Sequence, residues 1–157
     1  MKHNLQLRDV ILGGQDGLVN VLGLSLGLYA AHTSSHIILI AGLAAGFSES
    51  VSMGSVEYTS ELADKNRDKK ESLLYRSIIV GFSALLGSVM PIFPFFFLDS
   101  RTSIYISIII CTVILFGLGI SKARTIGGNI WKSGLQIVLI GLVSAFAGFL
   151  IGYLLQY

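Results

Sequence analysis

The sequence predicts an all-α integral membrane protein of five transmembrane helices, and three observations carry that reading. Of the 157 residues, 53% are hydrophobic and only 13% are charged, whereas a soluble domain carries about 25% charged residues; the mean hydropathy is +0.75. Charge-free apolar stretches of roughly 20 residues, the length that crosses a hydrocarbon core as a helix, recur along the chain. The alternating segments of about ten residues that would build a transmembrane barrel are absent. The single cysteine, Cys111, lies inside an apolar run, which excludes an intrachain disulfide framework and offers no cysteine metal cluster. The net charge is +2. Its basic residues sit in short loops, which points to membrane orientation and not to a nucleic-acid surface.

Read in order, the chain forms one transmembrane domain over 1–157. Span one, 10–31, is rich in glycine. Its Gly13-x-x-x-Gly17 and Gly23-x-x-x-Gly27 pairs fit the small-residue spacing that lets membrane helices approach closely. It contains Asp16 and Asn20 and lacks a cleavage pattern, so it is read as a retained helix and not a signal peptide. A short polar turn with His32 and His36 follows. Those two histidines, without a third ligand nearby in sequence, are read as interfacial. Span two, 37–63, exceeds one bilayer thickness, and its second half is acidic. A charged loop, 64–71, leads to span three, 77–98, where Pro91 and Pro94 break the backbone ladder and the freed carbonyls need other partners. Span four, 103–121, is rich in β-branched residues. A basic loop with Trp131 at the interface precedes span five, 133–157.

Positive charge fixes the expected orientation. One side would hold Lys2, Arg8, Lys65, Arg67, Lys69, Lys70, Arg76, Lys122, Arg124 and Lys132, the other Arg101 alone. The amino terminus is therefore expected in the cytoplasm and the carboxyl terminus on the extracytoplasmic or lumenal side.

The candidate site comes from acids inside the membrane. Glu49, Met53, Glu57 and Glu61 recur at four-residue spacing, which stacks them along one face of a helix. An intramembrane Asp or Glu is costly and is a functional candidate by default. No Lys or Arg is expected to be buried beside Asp16 and Glu49, so these carboxylates must be protonated, hydrated or bound to a cation. At 1.5 Å per residue, Asp16 lies about 9 Å inside from Val10, while Met53 and Glu49 lie about 12 and 18 Å from an exit near Glu61. Asp16 is therefore expected level with Met53 to Glu57. Calcium and magnesium sites use oxygen alone. A thioether beside carboxylates suits softer transition metals, Fe²⁺ first, with Mn²⁺ or Co²⁺ next.

Three segments resemble the vacuolar iron transporter family: Arg8-Asp9 through Asp16-Gly17-Leu18-Val19, then Ala41-Gly42-Leu43-Ala44 with Ser52-Met53-Gly54 and Glu57-Tyr58, and Pro91-Ile-Phe-Pro94. The resemblance covers nearly the whole chain in order. It implies a homodimeric carrier that moves Fe²⁺, often with Mn²⁺, out of the cytosol in exchange for protons. The path is expected at the dimer interface, lined by the first two helices. Asp16 and Met53 fall on positions expected to bind the translocating ion. Plant and apicomplexan members often carry a glutamate eight residues before the methionine; here that position is Ala45, and Glu49, one turn later, is expected to take its place. Many members also insert a glutamate-rich metal-capturing domain between spans two and three. This chain has only a short loop there, so it resembles a short form of the family.

The expectation is thus a divalent transition-metal transporter, not an enzyme, since no nucleophile–base pair or cofactor motif appears. Metal ligands are expected at Asp16, Glu49, Met53 and Glu57, metal entry at Glu61 and Asp64, and a polar path past Asn20. No cofactor is permanently bound; Fe²⁺ or Mn²⁺ is the substrate and H⁺ the coupling ion. Partners are the lipid bilayer, divalent metal ions and a second copy of the chain, with no nucleic acid. The membrane would be the cell membrane in a prokaryote, or a vacuolar or other organellar membrane in a eukaryote. The rival readings are a non-transporting assembly or anchoring protein and a passive cation channel. An anchor has no need of unpaired acids at Asp16 and Glu49.

Overall fold

The structure, a computed structural model, describes residues 2–63 and 70–156. It is all-helical among the described residues: α1 (Lys2–Ala30), α2 (Ser35–Ala63), α3 (Lys70–Ile92), a 3-10 turn (Phe93–Phe96), α4 (Ser100–Ile126) and α5 (Ile130–Leu155). Each of the five long helices contains a stretch long and apolar enough to cross a membrane, so the chain is an integral membrane protein.

The helices outrun the expected spans, for local reasons. Span one starts by hydropathy at Leu7 and span three at Leu73, three and four residues before the expected 10 and 77, so Arg8, Asp9 and Arg76 lie within spans. Asp99 is not in a loop ahead of span four but is the N-cap of α4, its side chain accepting from the Thr102 amide at 3.0 Å. That bond holds the Asp99 carboxyl below the usual carboxylate range. Lys122 and Arg124, expected in a loop, belong to the last turns of α4. The helix stops at Gly127, whose φ of +80° suits a residue without Cβ. Asn129 then caps α5 by accepting from the amides of Trp131 and Lys132. His32 occupies the turn after α1 with a φ of +56°, while His36 is already in α2, so the two histidines share no helix.

α1 is the central helix and contacts all four others, most extensively α3 and α5; α3 also packs along α2, and α4 along α5. The two glycine pairs of α1 serve different neighbours. Gly13 and Gly17 meet the backbone of α3 at Val80 and Ala84, whereas Gly23 and Gly27 meet α5 at Ser144 and Gly148. Any Cβ at Gly17 would strike the Ala84 carbonyl, so these pairs set the helix spacing. The apolar core lies between α1, α4 and α5, built on Leu18, Leu22, Ile104, Cys111, Leu115 and Ile137. At the end of α3, Pro91 precedes the change to 3-10 geometry. The Pro91 carbonyl accepts from Ser107 Oγ of α4 at 2.5 Å, the side-chain partner that a broken ladder requires.

α2 is the least enclosed helix. Only 17% of its most apolar stretch is buried, against 56% in α1 and in α3. Ile40, Phe47, Val51 and Val56 lie bare on its outer side.

Candidate functional site

The site begins with close helix packing. Gly17 on α1 and Gly46 on α2 leave room for one small side chain of α3, Ser88. A Cβ at Gly17 would come within 2.6 Å of Ser88 Oγ, and one at Gly46 within 2.7 Å of Ser88 Cβ. Ser88 is buried and donates to the Ala84 carbonyl at 2.8 Å. Three backbones are thereby drawn together at one level, and the polar residues beside the glycines are drawn with them.

At that level Asn20 Nδ2 of α1 donates to Glu49 Oε1 of α2 at 2.5 Å. The same Glu49 carboxyl lies within hydrogen-bonding reach of Asp16 and of Ser88. The expected pairing of Asp16 with the Met53–Glu57 level is corrected: Asp16 meets Glu49. The reason is the earlier start of α1. From Leu7, Asp16 is about 13–14 Å along its span, and from Ser60, Glu49 is about 16–17 Å along the antiparallel one, so the two are nearly level. Among the described residues neither acid forms a salt bridge with Lys or Arg.

Met53 is half-buried one turn beyond Glu49, and Glu57 one turn beyond that. Here the structure departs from expectation, because a cation is buried at this level. Arg76 of α3 is only 5% exposed. Its Nε donates to Asp9 Oδ2 and its Nη2 to Asp9 Oδ1, both at 2.8 Å, a fork-to-fork pair that joins α3 to α1. Nη2 also lies 2.7 Å from Glu57 Oε1 of α2. That approach lacks hydrogen-bond alignment, since Glu57 Oε1 is buried with no directed donor; it is an ion pair held by charge alone. Sequence reasoning put Asp9 in a polar terminus and Arg76 in a loop. Their signal was legible: Asp9 is seven residues before Asp16 and so shares its face, and Leu73-Leu74-Tyr75 continues the apolar run ahead of Arg76.

The α1–α2–α3 seam therefore carries two polar levels, Asp16–Asn20–Glu49–Ser88 deeper in and Asp9–Arg76–Glu57 toward the helix ends, with Met53 between them. The Glu61 side chain and Asp64, the expected entry residues, lie outside the described residues. Among the described residues no three His, Cys, Asp or Glu side chains converge within one chain. The deeper level supplies two carboxylates and an amide, and Asn20 remains exposed, so that level opens outward on the face of α1 and α2. Ala45, one turn before Glu49, contributes no polar atom there.

Comparison with known proteins follows the same residues. A model of the VIT family matches residues 7–73 and 61–153. An uncharacterized protein of Methanocaldococcus jannaschii is 29% identical, over 92% of this chain and 87% of its own length. Vacuolar iron transporter 1 of Eucalyptus grandis is 22% identical over 91% of this chain and 84% of its own length. Vacuolar iron transporter 1 of Arabidopsis thaliana is 35% identical over a shorter stretch, 41% of this chain and 26% of its own length. With nearly its whole length matched in order, this five-helix membrane protein belongs to the VIT family.

Proposed function

We propose that this protein exports a divalent transition metal from the cytosol, Fe²⁺ in the first place and Mn²⁺ or Co²⁺ with it, in exchange for protons. The observation that carries the reading is the Asp16–Glu49 pair: two carboxylates brought together across α1 and α2, without a salt bridge to Lys or Arg among the described residues, inside a membrane-spanning seam. Relatives named as vacuolar iron transporters support the choice of ion.

In this reading the carboxylates of Asp16 and Glu49 and the thioether of Met53 hold the ion, and Glu57, with Glu61 and Asp64 beyond it, forms the cytoplasmic approach. Glu49 takes the part that the resemblance assigns to the position of Ala45. One chain brings too few ligands to strip a metal of its water. A second copy, related by a two-fold axis along the open face of α1 and α2, doubles the set and covers Asn20. Metal binds only to deprotonated carboxylates and so releases protons as it enters. On the far side, protons reclaim the carboxylates and release the metal.

The test is uptake of Fe²⁺, Mn²⁺ and Co²⁺ into proteoliposomes, with and without a pH gradient, for the wild type, Asp16→Ala and Glu49→Ala. Loss of transport in both variants and dependence on the gradient are expected. Undiminished transport in both variants would remove the site assignment, and gradient-independent flux would turn the carrier into a channel.

A further inference from the structure

The metal reading leaves a cation unexplained. Arg76 is buried in the same seam, one helical turn from Met53 by way of Glu57, and Asp9 and Glu57, two of its partners, are held differently. Asp9 is 1% exposed and meets both Nε and Nη2 in aligned hydrogen bonds. The Glu57 side chain is 11% exposed, and its Oε1 lies 2.7 Å from Nη2, which makes an aligned bond to Asp9 and none to Glu57. One arm is thus a fixed strut between α1 and α3. The other is a charge contact with no directional bond to lose.

We propose that Arg76 is a tethered counter-cation for Glu57. Its guanidinium occupies the carboxylate that an incoming metal must take, and only an ion able to displace it passes to Met53, Asp16 and Glu49. This rests on the transport reading for its purpose but not for its chemistry. A divalent ion bonds carboxylate oxygen at about 2.0–2.2 Å, closer than the 2.7 Å of the Arg76–Glu57 contact, and with twice the charge. Its attraction to the carboxylate is therefore between two and three times that of the guanidinium at equal dielectric. A monovalent ion brings the same charge as Arg76. It competes from bulk solution, whereas the guanidinium is held in place at high effective concentration. The arrangement discriminates by charge before the thioether discriminates by softness. It also keeps Glu57 from standing as a bare buried acid between transport cycles. When a metal displaces it, Arg76 stays on Asp9, so the strut holds while the arm opens.

The experiment uses the full chain in nanodiscs and Mn²⁺ as the probe, with free Mn²⁺ read from its paramagnetic resonance signal. Asp9→Asn/Arg76→Gln removes the competing cation without leaving Asp9 as a buried charge. It is expected to tighten Mn²⁺ binding on the order of tenfold, within the usual range for coupled ligands, and to make that binding sensitive to added K⁺ at constant ionic strength. Adding Glu57→Gln to the double variant is expected to abolish both effects. Arg76→Lys keeps a charge but loses the fork, and an intermediate tightening is expected; it serves if the double variant does not fold. Unchanged Mn²⁺ affinity in the double variant and in Arg76→Lys would overturn the inference and leave Arg76 a helix clasp. A chain that shows this Arg76 dependence yet moves no metal would support the inference while removing the transport reading. A chain that transports with affinity indifferent to Arg76 would do the reverse.

Discussion

Asn20 of α1 donates its side-chain amide to Glu49 of α2 across the membrane-spanning part of the seam, at 2.5 Å. This bond connects the two helices at the level where Gly17 and Gly46 close on Ser88, and in the proposed site it would fix which oxygen of Glu49 is left for a metal. Asn20 itself brings no charge. In the proposed site its part is to orient Glu49, as a positioning residue.

Removing that orientation is expected to weaken metal capture more than turnover. A hydrogen bond to a charged acceptor contributes about 1.5–3 kcal/mol, and 1.4 kcal/mol is a factor of ten. Asn20→Ala should raise the KM for Fe²⁺ about tenfold or more while kcat changes little. Asn20→Gln, longer by one methylene, should recover part of the loss. Initial-rate uptake in proteoliposomes separates the two constants.

The Asp9–Arg76 strut is a stability element whatever Glu57 does. Breaking one partner of a buried pair leaves an uncompensated charge, at a cost of about 3–5 kcal/mol. Asp9→Ala is expected to lower the unfolding free energy by up to that amount, since Glu57 still faces the guanidinium. The triple change Asp9→Ala/Arg76→Met/Glu57→Gln should return most of it, because neither acid nor the guanidinium is then left buried as a charge. Denaturant unfolding in detergent micelles measures both.

Glycines of identical composition are expected to behave oppositely according to what faces them. A methyl at Gly17 would run into the Ala84 carbonyl and Ser88 Oγ, and overpacking of this kind costs about 1–3 kcal/mol. Because Asp16 is its neighbour, Gly17→Ala should also depress transport. Gly117 on α4 has nothing within 4 Å of the same methyl. Gly117→Ala should be neutral or stabilising by up to about 1 kcal/mol, with transport unchanged. Thermal unfolding of the two variants side by side tests the packing account.

The sequence made the five spans legible because apolar length alone specifies them. It also marked Asp16 and Glu49 as candidates, since a carboxylate in an apolar run is its own signal, and Met53 by its four-residue spacing from Glu49. Three things were hidden. The pairing of Asp9 with Arg76 was one: the apolar runs reach back to Leu7 and Leu73, but the charges inside them read as span ends until each is seen to satisfy the other. Ser88 carried no signal, since a serine in a charge-free run is ordinary and only two opposing glycines give it a place. The shift of Asp16 from the Met53 level to the Glu49 level followed from those same misplaced ends. Pairings between helices were the part that spacing within one helix could not supply.

Asp99 gives a pH expectation outside the membrane. Its bond from the Thr102 amide holds the carboxyl below its ordinary range in the folded protein. The depressed value means that the cap's contribution is present above the unfolded carboxylate range and is lost as pH falls through the folded value. Asp99 is fully exposed, so the contribution is small and solvent-screened. Asp99→Asn keeps an N-cap acceptor without the charge. It should flatten the acid limb of unfolding midpoint against pH, from the ordinary carboxylate range downward, while leaving the neutral plateau nearly unmoved. An Asp99→Asn curve that runs parallel to wild type over that window would assign the acid limb to other groups.

In the proposed site, Met53 is the residue that would separate ion selectivity from charge. Leu and Met are close in volume, and swaps between them cost less than about 1.5 kcal/mol in packed regions, so Met53→Leu removes a sulfur ligand with little change of shape. Half-buried between the Glu49 and Glu57 levels, the thioether can prefer Fe²⁺ and Co²⁺ over hard ions, because it adds a soft donor that Mg²⁺ and Ca²⁺ do not use. The carboxylates, by contrast, attract any divalent ion. Met53→Leu is therefore expected to lower Fe²⁺ and Co²⁺ uptake on the order of tenfold, to lower Mn²⁺ uptake less, and to leave competition by Mg²⁺ relatively stronger. Glu49→Gln should instead depress all three transition metals together. Parallel uptake curves for the three metals, each with and without excess Mg²⁺, distinguish the two patterns. A Met53→Leu profile that scales all ions equally would make Met53 a packing residue and leave selectivity to the carboxylates and to Arg76.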